Sequence, residues 1–248
     1  MSINTYFDIV YVIALPSRVN YISTVLRKMG IHFTIIPAIL GKNVDQKSLV
    51  NDNLLDTNHS FKNNNEICCS LSHLKTVDTF LNNTYYNTAC IFEDDIVLDT
   101  NYQIKLANCM KDLPNDWEFF NMGRCWANCY NNQTFGSGTI SITPHSLCSH
   151  SYAITRNGAK KIIRGAFPIT KAVDMYYSEI DNLKFYSSSP RIFNQLKSIT
   201  SLNNTSSLGN TDTCQECQLV TLDNYISPVV IIVIIVIIMG VVFYKKLS

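Results

Sequence analysis

The chain carries almost no net charge. Its 248 residues sum to +1 at pH 7, and only 16% are Asp, Glu, Lys or Arg. Nucleic-acid binders gather basic residues into a patch or stripe. Here the basic residues are scattered, so no nucleic-acid partner is expected. Glycine is scarce, at 9, and no Gly-rich basic loop is present to grip a triphosphate, which weighs against a nucleotidyltransferase. No internal repeat is visible. The amino terminus lacks the marks of a secretory leader. Ile9 to Leu15 is apolar, but no positive segment precedes it, Asp8 abuts it, and no small-residue cleavage site stands out. The 9 cysteines are odd in number and unevenly spaced, which excludes a small disulfide scaffold. Cys69, Cys90 and Cys148 lie in apolar elements and are expected to be buried free thiols. Cys214 and Cys217 form a lone CxxC, half of a zinc site without the other half.

One long hydrophobic run stands apart. Ile226 to Tyr244 is apolar except for Ser227, Pro228 and Gly240. A helix of that length spans about 28 Å, close to the hydrocarbon thickness of a bilayer. The expected organisation is a domain over 1–202, a polar linker over 203–225, a single membrane-spanning helix over 226–244 and a basic tail over 245–248. The missing leader favours a tail anchor with the domain in the cytosol. Lys245 and Lys246 argue the other way, because positive flanks tend to stay cytosolic. Sequons at Asn58, Asn82, Asn132, Asn203 and Asn204 would be usable in a lumen. The lumenal side therefore stays open.

The most informative stretch is Thr88 to Asp99, TACIFEDDIVLD. A short apolar run with Ile and Phe reads as a buried strand. It meets three consecutive carboxylates, Glu93, Asp94 and Asp95, and Ile96 to Leu98 follow. Buried unpaired charge is costly, so a carboxylate cluster at a strand end needs water or a counter-ion. At the carboxyl edge of an α/β sheet that counter-ion could be a divalent metal, and hard oxygen ligands suit Mn²⁺ or Mg²⁺. The alternative is an acidic turn between two elements.

The remaining pattern alternates strands with helices, which means an α/β sheet domain. Phe7 to Leu15 is the first strand. Arg18 in the loop after it would lie near the sheet's carboxyl edge, contacting a nucleotide or simply solvated. A helix follows, closed by Gly30. Phe33 to Leu40 is a second strand, and Gly41 to Asn65 a long loop. Glu66 to Leu81 is a helix with Ile67, Leu71, Leu74 and Leu81 on its core stripe. Glu66, Cys69, Ser72 and His73 fall on another face, able to line a pocket or to sit satisfied at a helix–sheet seam. Tyr102 to Met110 is a helix, Trp117 to Met122 a strand, and Trp126 to Ser137 a loop. Two more strands span Gly138 to Thr143 and Leu147 to Thr155, the second carrying His150 and Tyr152 on one face. Asn157 and Gly158 are expected to break that strand before a helix over Ala159 to Arg164. Thr170 to Ile180 is a further helix with Asp174 near its start. Leu183 to Tyr186 is a late strand, and Pro190 to Gln195 follows it.

Several segments resemble the glycosyltransferases of family 25, the lipopolysaccharide-type group that includes bacterial and procollagen galactosyltransferases. They are VIALPSR at 12–18, EICCSLSHL at 66–74, CIFEDDIVL at 90–98, CSHSYAITRNGAKKII at 148–163, AVDMYY at 172–177 and SPRIFNQ at 189–195. They stand in the family's order. Cys68 replaces the family's usual glycine, and the acidic motif is EDD rather than a strict DxD. The resemblance implies a GT-A-like fold, here a mixed, mainly parallel sheet flanked by helices. It implies a UDP-galactose or UDP-glucose donor, inversion at the anomeric carbon, and a carbohydrate, lipid or protein acceptor. Asp95 and Asp94 would hold Mn²⁺ or Mg²⁺, with Asp94 thereby serving catalysis. Glu93, Arg18, Ser72, His73 and His150 would line the donor site, and Asp174 would be the general base. A non-catalytic, membrane-displayed binding domain is the competing reading.

Overall fold

The computed structural model of the chain describes residues 2–98, 100–125, 133–142 and 146–196. The expected linker, membrane helix and basic tail, the Cys214–Cys217 pair and the first half of the loop at 126–137 lie outside the described residues. Among the described residues no helix is long and apolar enough to cross a membrane.

Ten strands and six α-helices are described: β1 (Ile9–Ala14), α1 (Val19–Lys28), β2 (Thr34–Pro37), α2 (Gln46–Asn51), α3 (Asn64–Asn82), β3 (Thr88–Glu93), β4 (Ile96–Leu98), α4 (Tyr102–Asp112), β5 (Phe119–Asn121), β6 (Gln133–Phe135), β7 (Ile140–Ile142), β8 (Ser151–Thr155), α5 (Arg156–Arg164), α6 (Val173–Ser178), β9 (Phe185–Ser188) and β10 (Phe193–Gln195). Eight strands form one sheet in the order β2-β1-β3-β8-β5-β9-β7-β6. β2, β1, β3, β5 and β9 share one direction, and β8 runs against them between β3 and β5. The sheet is thus mixed. Its shared direction is the expected one, although four pairings (β3–β8, β8–β5, β9–β7 and β7–β6) are antiparallel. β4 pairs separately with β10.

Strand alternation divides the core into two layers. Val10, Val12, Ala14, Cys90 and Phe92 face one side, with Ile22, Leu26, Tyr102 and Leu106 from α1 and α4. Tyr11, Ile13, Ala89 and Ile91 face the other, with Ile67, Leu71, Leu74, Ala159 and Ile162 from α3 and α5. Being covered on both faces explains why β1 and β3 read as near-continuous apolar runs. The same alternation turns Glu93, the residue after Phe92, toward α3.

Several local expectations needed correction. The stretch 41–65 is not a plain loop. It holds a 3₁₀ turn at Gly41–Asn43 and α2, whose N-terminus Asp45 caps by accepting from the Lys47 and Ser48 amides. No residue of α2 is buried, so it has no apolar stripe for a sequence reading to find. α3 starts earlier than expected, where Asn63 accepts from the Asn65 and Glu66 amides. Glu66 accepts in turn from the Lys62 amide, which places it in a cap rather than in a pocket wall. Cys68 is buried within α3 without breaking it. Cys148 is not a free thiol, because it forms a disulfide with Cys125. Cys69 is free but exposed.

The end of α3 is closed by one side chain from another element. Arg156 donates to the carbonyls of Leu81, Asn83 and Tyr86 at 2.6, 2.7 and 2.8 Å, and its guanidinium lies over the Phe80 ring. It therefore satisfies carbonyls that a helix end leaves open. Arg156→Ala should destabilise the domain by about 2–3 kcal/mol, since charged hydrogen bonds are lost and the carbonyls orphaned. A urea titration reads this as a lower midpoint with unchanged slope.

Candidate functional site

β1 and β2 are joined through α1 on one side, and the chain then returns through α3 to lay β3 on the other side of β1. The carboxyl ends of β1 and β3 are therefore a topological switch point, where an open α/β sheet leaves a crevice for ligands. Register sets Ile13 beside Glu93. The loop after β1 thus meets the acidic turn after β3, and Arg18 and the three carboxylates converge there.

Each carboxylate has a different setting. Asp94 is buried, and both its oxygens are engaged. Oδ2 accepts from the Leu15 amide at 2.6 Å, and Oδ1 from Arg18 Nη1 at 2.9 Å. Burial raises its carboxyl above the usual range, opposed by the Leu15 and Arg18 contacts. Asp95 is also buried. Gln195 Nε2 donates to its Oδ2 at 3.0 Å, and Arg18 Nη1 lies 3.9 Å away. Asp95 Oδ1 is buried with no protein partner. Burial first, then the charges of Glu93 and Asp94, push this carboxyl from 3.8 up to about 8.

Glu93 is partly exposed. Its Oε1 faces His73 Nε2 at 3.2 Å and accepts from Ser149 Oγ at 3.0 Å. Burial alone would raise it, but the hydrogen bond and charge of His73 outweigh that, and its carboxyl lies below the usual value. The trio thus holds two carboxylates raised and one lowered within three residues. His73 is itself buried, with Nδ1 against Tyr152 Oη at 3.1 Å, and Tyr152 Oη meets Tyr177 Oη at 3.3 Å. A polar chain therefore runs from the cleft into the core beneath α3.

The other expected residues fall into two groups. Arg18 pairs with Asp94 at the carboxyl end of β1, and Asp174 meets the loop that carries Ser149 to Glu93. Asp174 Oδ2 accepts from the Cys148 amide at 3.0 Å, tying α6 to the disulfide loop, and Oδ1 accepts from the Met175 amide. Ser72 and His150 belong to the frame. Ser72 Oγ donates to the Cys68 carbonyl and accepts from the Ile39 amide. His150 is buried with Nε2 against the Phe193 carbonyl, and burial lowers its imidazole below the usual value. Gly123 makes room for it, since a Cβ there would lie 2.3 Å from His150 Nε2.

Three contributors escaped the residue-by-residue reading: Gln195, Ser149 and Asn121. Gln195 reaches Asp95 because β10 pairs with β4, setting Gln195 opposite Ile96. Asn121 Nδ2 donates to the carbonyls of Ser146, Leu147 and Cys148, holding the loop that delivers Ser149. Gln195 closes SPRIFNQ, so that segment carried a signal. Ser149 lies in CSHSYAITRNGAKKII, which carried a signal too, whereas Asn121 had none, because it acts through loop geometry.

A family model described as glycosyltransferase family 25 (LPS biosynthesis protein) matches residues 7–177. No curated protein matches the chain. Among solved structures, A197 from STIV is similar at 14% identity and a TM-score of 0.39, over 72% of this chain and 81% of that one.

Proposed function

The chain belongs to glycosyltransferase family 25, and from that membership we propose that it moves a hexose from UDP-galactose or UDP-glucose to a hydroxyl acceptor, with inversion and on a GT-A-like fold. As a glycosyltransferase it takes a sugar donor and a glycan acceptor. The reading that the donor is a UDP-sugar held with Mn²⁺ or Mg²⁺ rests on one observation. Asp95 is a buried carboxylate with an unpartnered oxygen and an ionisation pushed to about 8. A hard cation fits such an oxygen and would relieve its burial. When bound, it would offset the charge developing on the departing diphosphate.

The chain's own residues have separable tasks in this reading. Asp95 supplies the open carboxylate oxygen. Asp94, with both oxygens engaged, fixes Arg18 at the mouth, where its guanidinium contacts the donor. Glu93, held by His73 and Ser149, accepts from the donor's ribose. Asp174 takes the proton from the acceptor hydroxyl as general base. Ser72 and His150 keep the frame in place.

Donor screening with the purified full-length chain tests this. UDP release should appear with a UDP-hexose and Mn²⁺, vanish in EDTA and return with added Mn²⁺. Full turnover in excess EDTA would sink the metal role. No release from any nucleotide sugar would favour the non-catalytic alternative.

We also infer that 226–244 anchors the chain in a membrane, with the domain on the oxidising side. The Cys125–Cys148 disulfide supports this, since such bonds persist outside the reducing cytosol. The Lys245–Lys246 tail would then face the cytosol, as positive flanks do. This reverses the cytosolic orientation expected for the domain from the sequence. Asn58 and Asn82 are exposed sequons. Endoglycosidase should lower the apparent mass of the chain expressed in eukaryotic cells, and an unchanged mass would count against this orientation.

A further inference from the structure

We propose that Cys69, His73 and Glu93 form a second metal site, separate from Asp95, that takes a thiophilic divalent cation of the zinc class. Cys69 and His73 stand four residues apart on α3 and so share one helical face. One ligand atom from each of Cys69, His73 and Glu93 lies within 4.8 Å of the others. Ligands around a tetrahedral zinc ion sit about 3.5 Å apart. The 3.2 Å between His73 Nε2 and Glu93 Oε1 is already near that separation. A small rotation of Cys69, which is exposed and free, brings in the thiolate.

The chemistry of the set separates it from the neighbouring carboxylate. Thiolate, imidazole and carboxylate together suit zinc, whereas Asp95 offers oxygen alone. The outer contacts are also those of a metal site. A ligating histidine is held by a partner on its other nitrogen, and here Tyr152 Oη holds His73 Nδ1 at 3.1 Å. Ser149 orients the carboxylate. On binding, two protons leave to solvent, the one on the Cys69 thiol and the one that His73 Nε2 shares with Glu93, and His73 then carries its proton on Nδ1, donated to Tyr152. Three protein ligands leave the fourth position open toward the cleft.

Cobalt(II) titration of the metal-free full-length chain tests this, because cobalt replaces zinc and gives a thiolate charge-transfer band. Cys69→Ser should lose one equivalent of cobalt and the matching part of that band, while Asp95→Asn keeps the band in full. The comparison isolates this site from the Cys214–Cys217 pair, which is present in every variant. A second measurement needs no variant. Zinc should slow alkylation of Cys69 by iodoacetamide about tenfold or more, since a metal-bound thiolate is a poor nucleophile. Equal cobalt stoichiometry in wild type and Cys69→Ser, loss of the band in Asp95→Asn, or equal alkylation with and without zinc would each overturn the proposal.

Discussion

Replacing Asp95 by asparagine should abolish sugar transfer while making the metal-free domain more stable. The two effects have one cause. Three carboxylates crowd the end of β3, and Arg18 is the cation that contacts two of them. The carboxyl of Asp95 is pushed to about 8 in the folded chain, against 3.8 as its ordinary value. The folded state therefore keeps a proton that the unfolded state releases between about pH 4 and pH 8. Stability of the metal-free wild type falls as pH rises through that window and levels off above it. The amide oxygen of the Asp95→Asn variant would still accept from Gln195, Arg18 would keep Asp94, and the amide nitrogen would take the Oδ1 place, which already lacks a partner. The gain above pH 8 should be on the order of 6 kcal/mol, since one pH unit is worth about 1.4 kcal/mol, shrinking to nothing below pH 4. Urea midpoints measured across pH in EDTA check it. Transfer should drop by roughly 10³-fold, as when a preorganised charge-stabilising group is removed. A variant no more stable than wild type at pH 8 would mean that the burial of Asp95 carries no strain. Near-normal turnover in Mn²⁺ would remove Asp95 from the chemistry.

What could be read from the sequence follows from how locally each feature is encoded. β1 and β3 were legible because a strand covered on both faces must be apolar throughout. The acidic trio was legible because charge after such a run is anomalous wherever it occurs. The same logic placed Arg18 at the sheet edge, and there it pairs with Asp94. Roles were less legible than positions. Ser72 is polar on a pocket-like face, yet the Cys68 carbonyl and Ile39 amide already satisfy it. Nothing in the order of residues reveals that Ile39 returns to α3. The Cys125–Cys148 bond is invisible for the same reason, since a separation of 23 positions does not say which thiols meet. Gln195 is the sharpest case. It touches Asp95 across 100 positions because two short strands pair.

Gly158→Ala should cost the domain about 3 kcal/mol, although alanine is the better helix former. Sequence reading treats Asn157 and Gly158 as a break. The chain instead runs through them in α5, and Thr155 caps the helix by accepting from the Gly158 amide. Propensity alone predicts that alanine stabilises an interior helix position by about 1 kcal/mol. Packing opposes it. A Cβ at 158 would lie 2.2 Å from the Glu118 carbonyl oxygen and 2.9 Å from its carbon. Those atoms are backbone, and the same carbonyl accepts from the Thr155 amide at 3.1 Å, so it cannot swing aside freely. Either α5 moves off the sheet or the Thr155 bond breaks. Overpacking of this kind costs about 1–3 kcal/mol or more, and here a hydrogen bond is threatened as well. The clash therefore outweighs the propensity gain. Thermal and urea unfolding should both show the loss, and a neutral or stabilising result would mean that α5 does not press on the backbone at Glu118, just before β5. The glycine would then be only the interruption that its neighbours in sequence suggest.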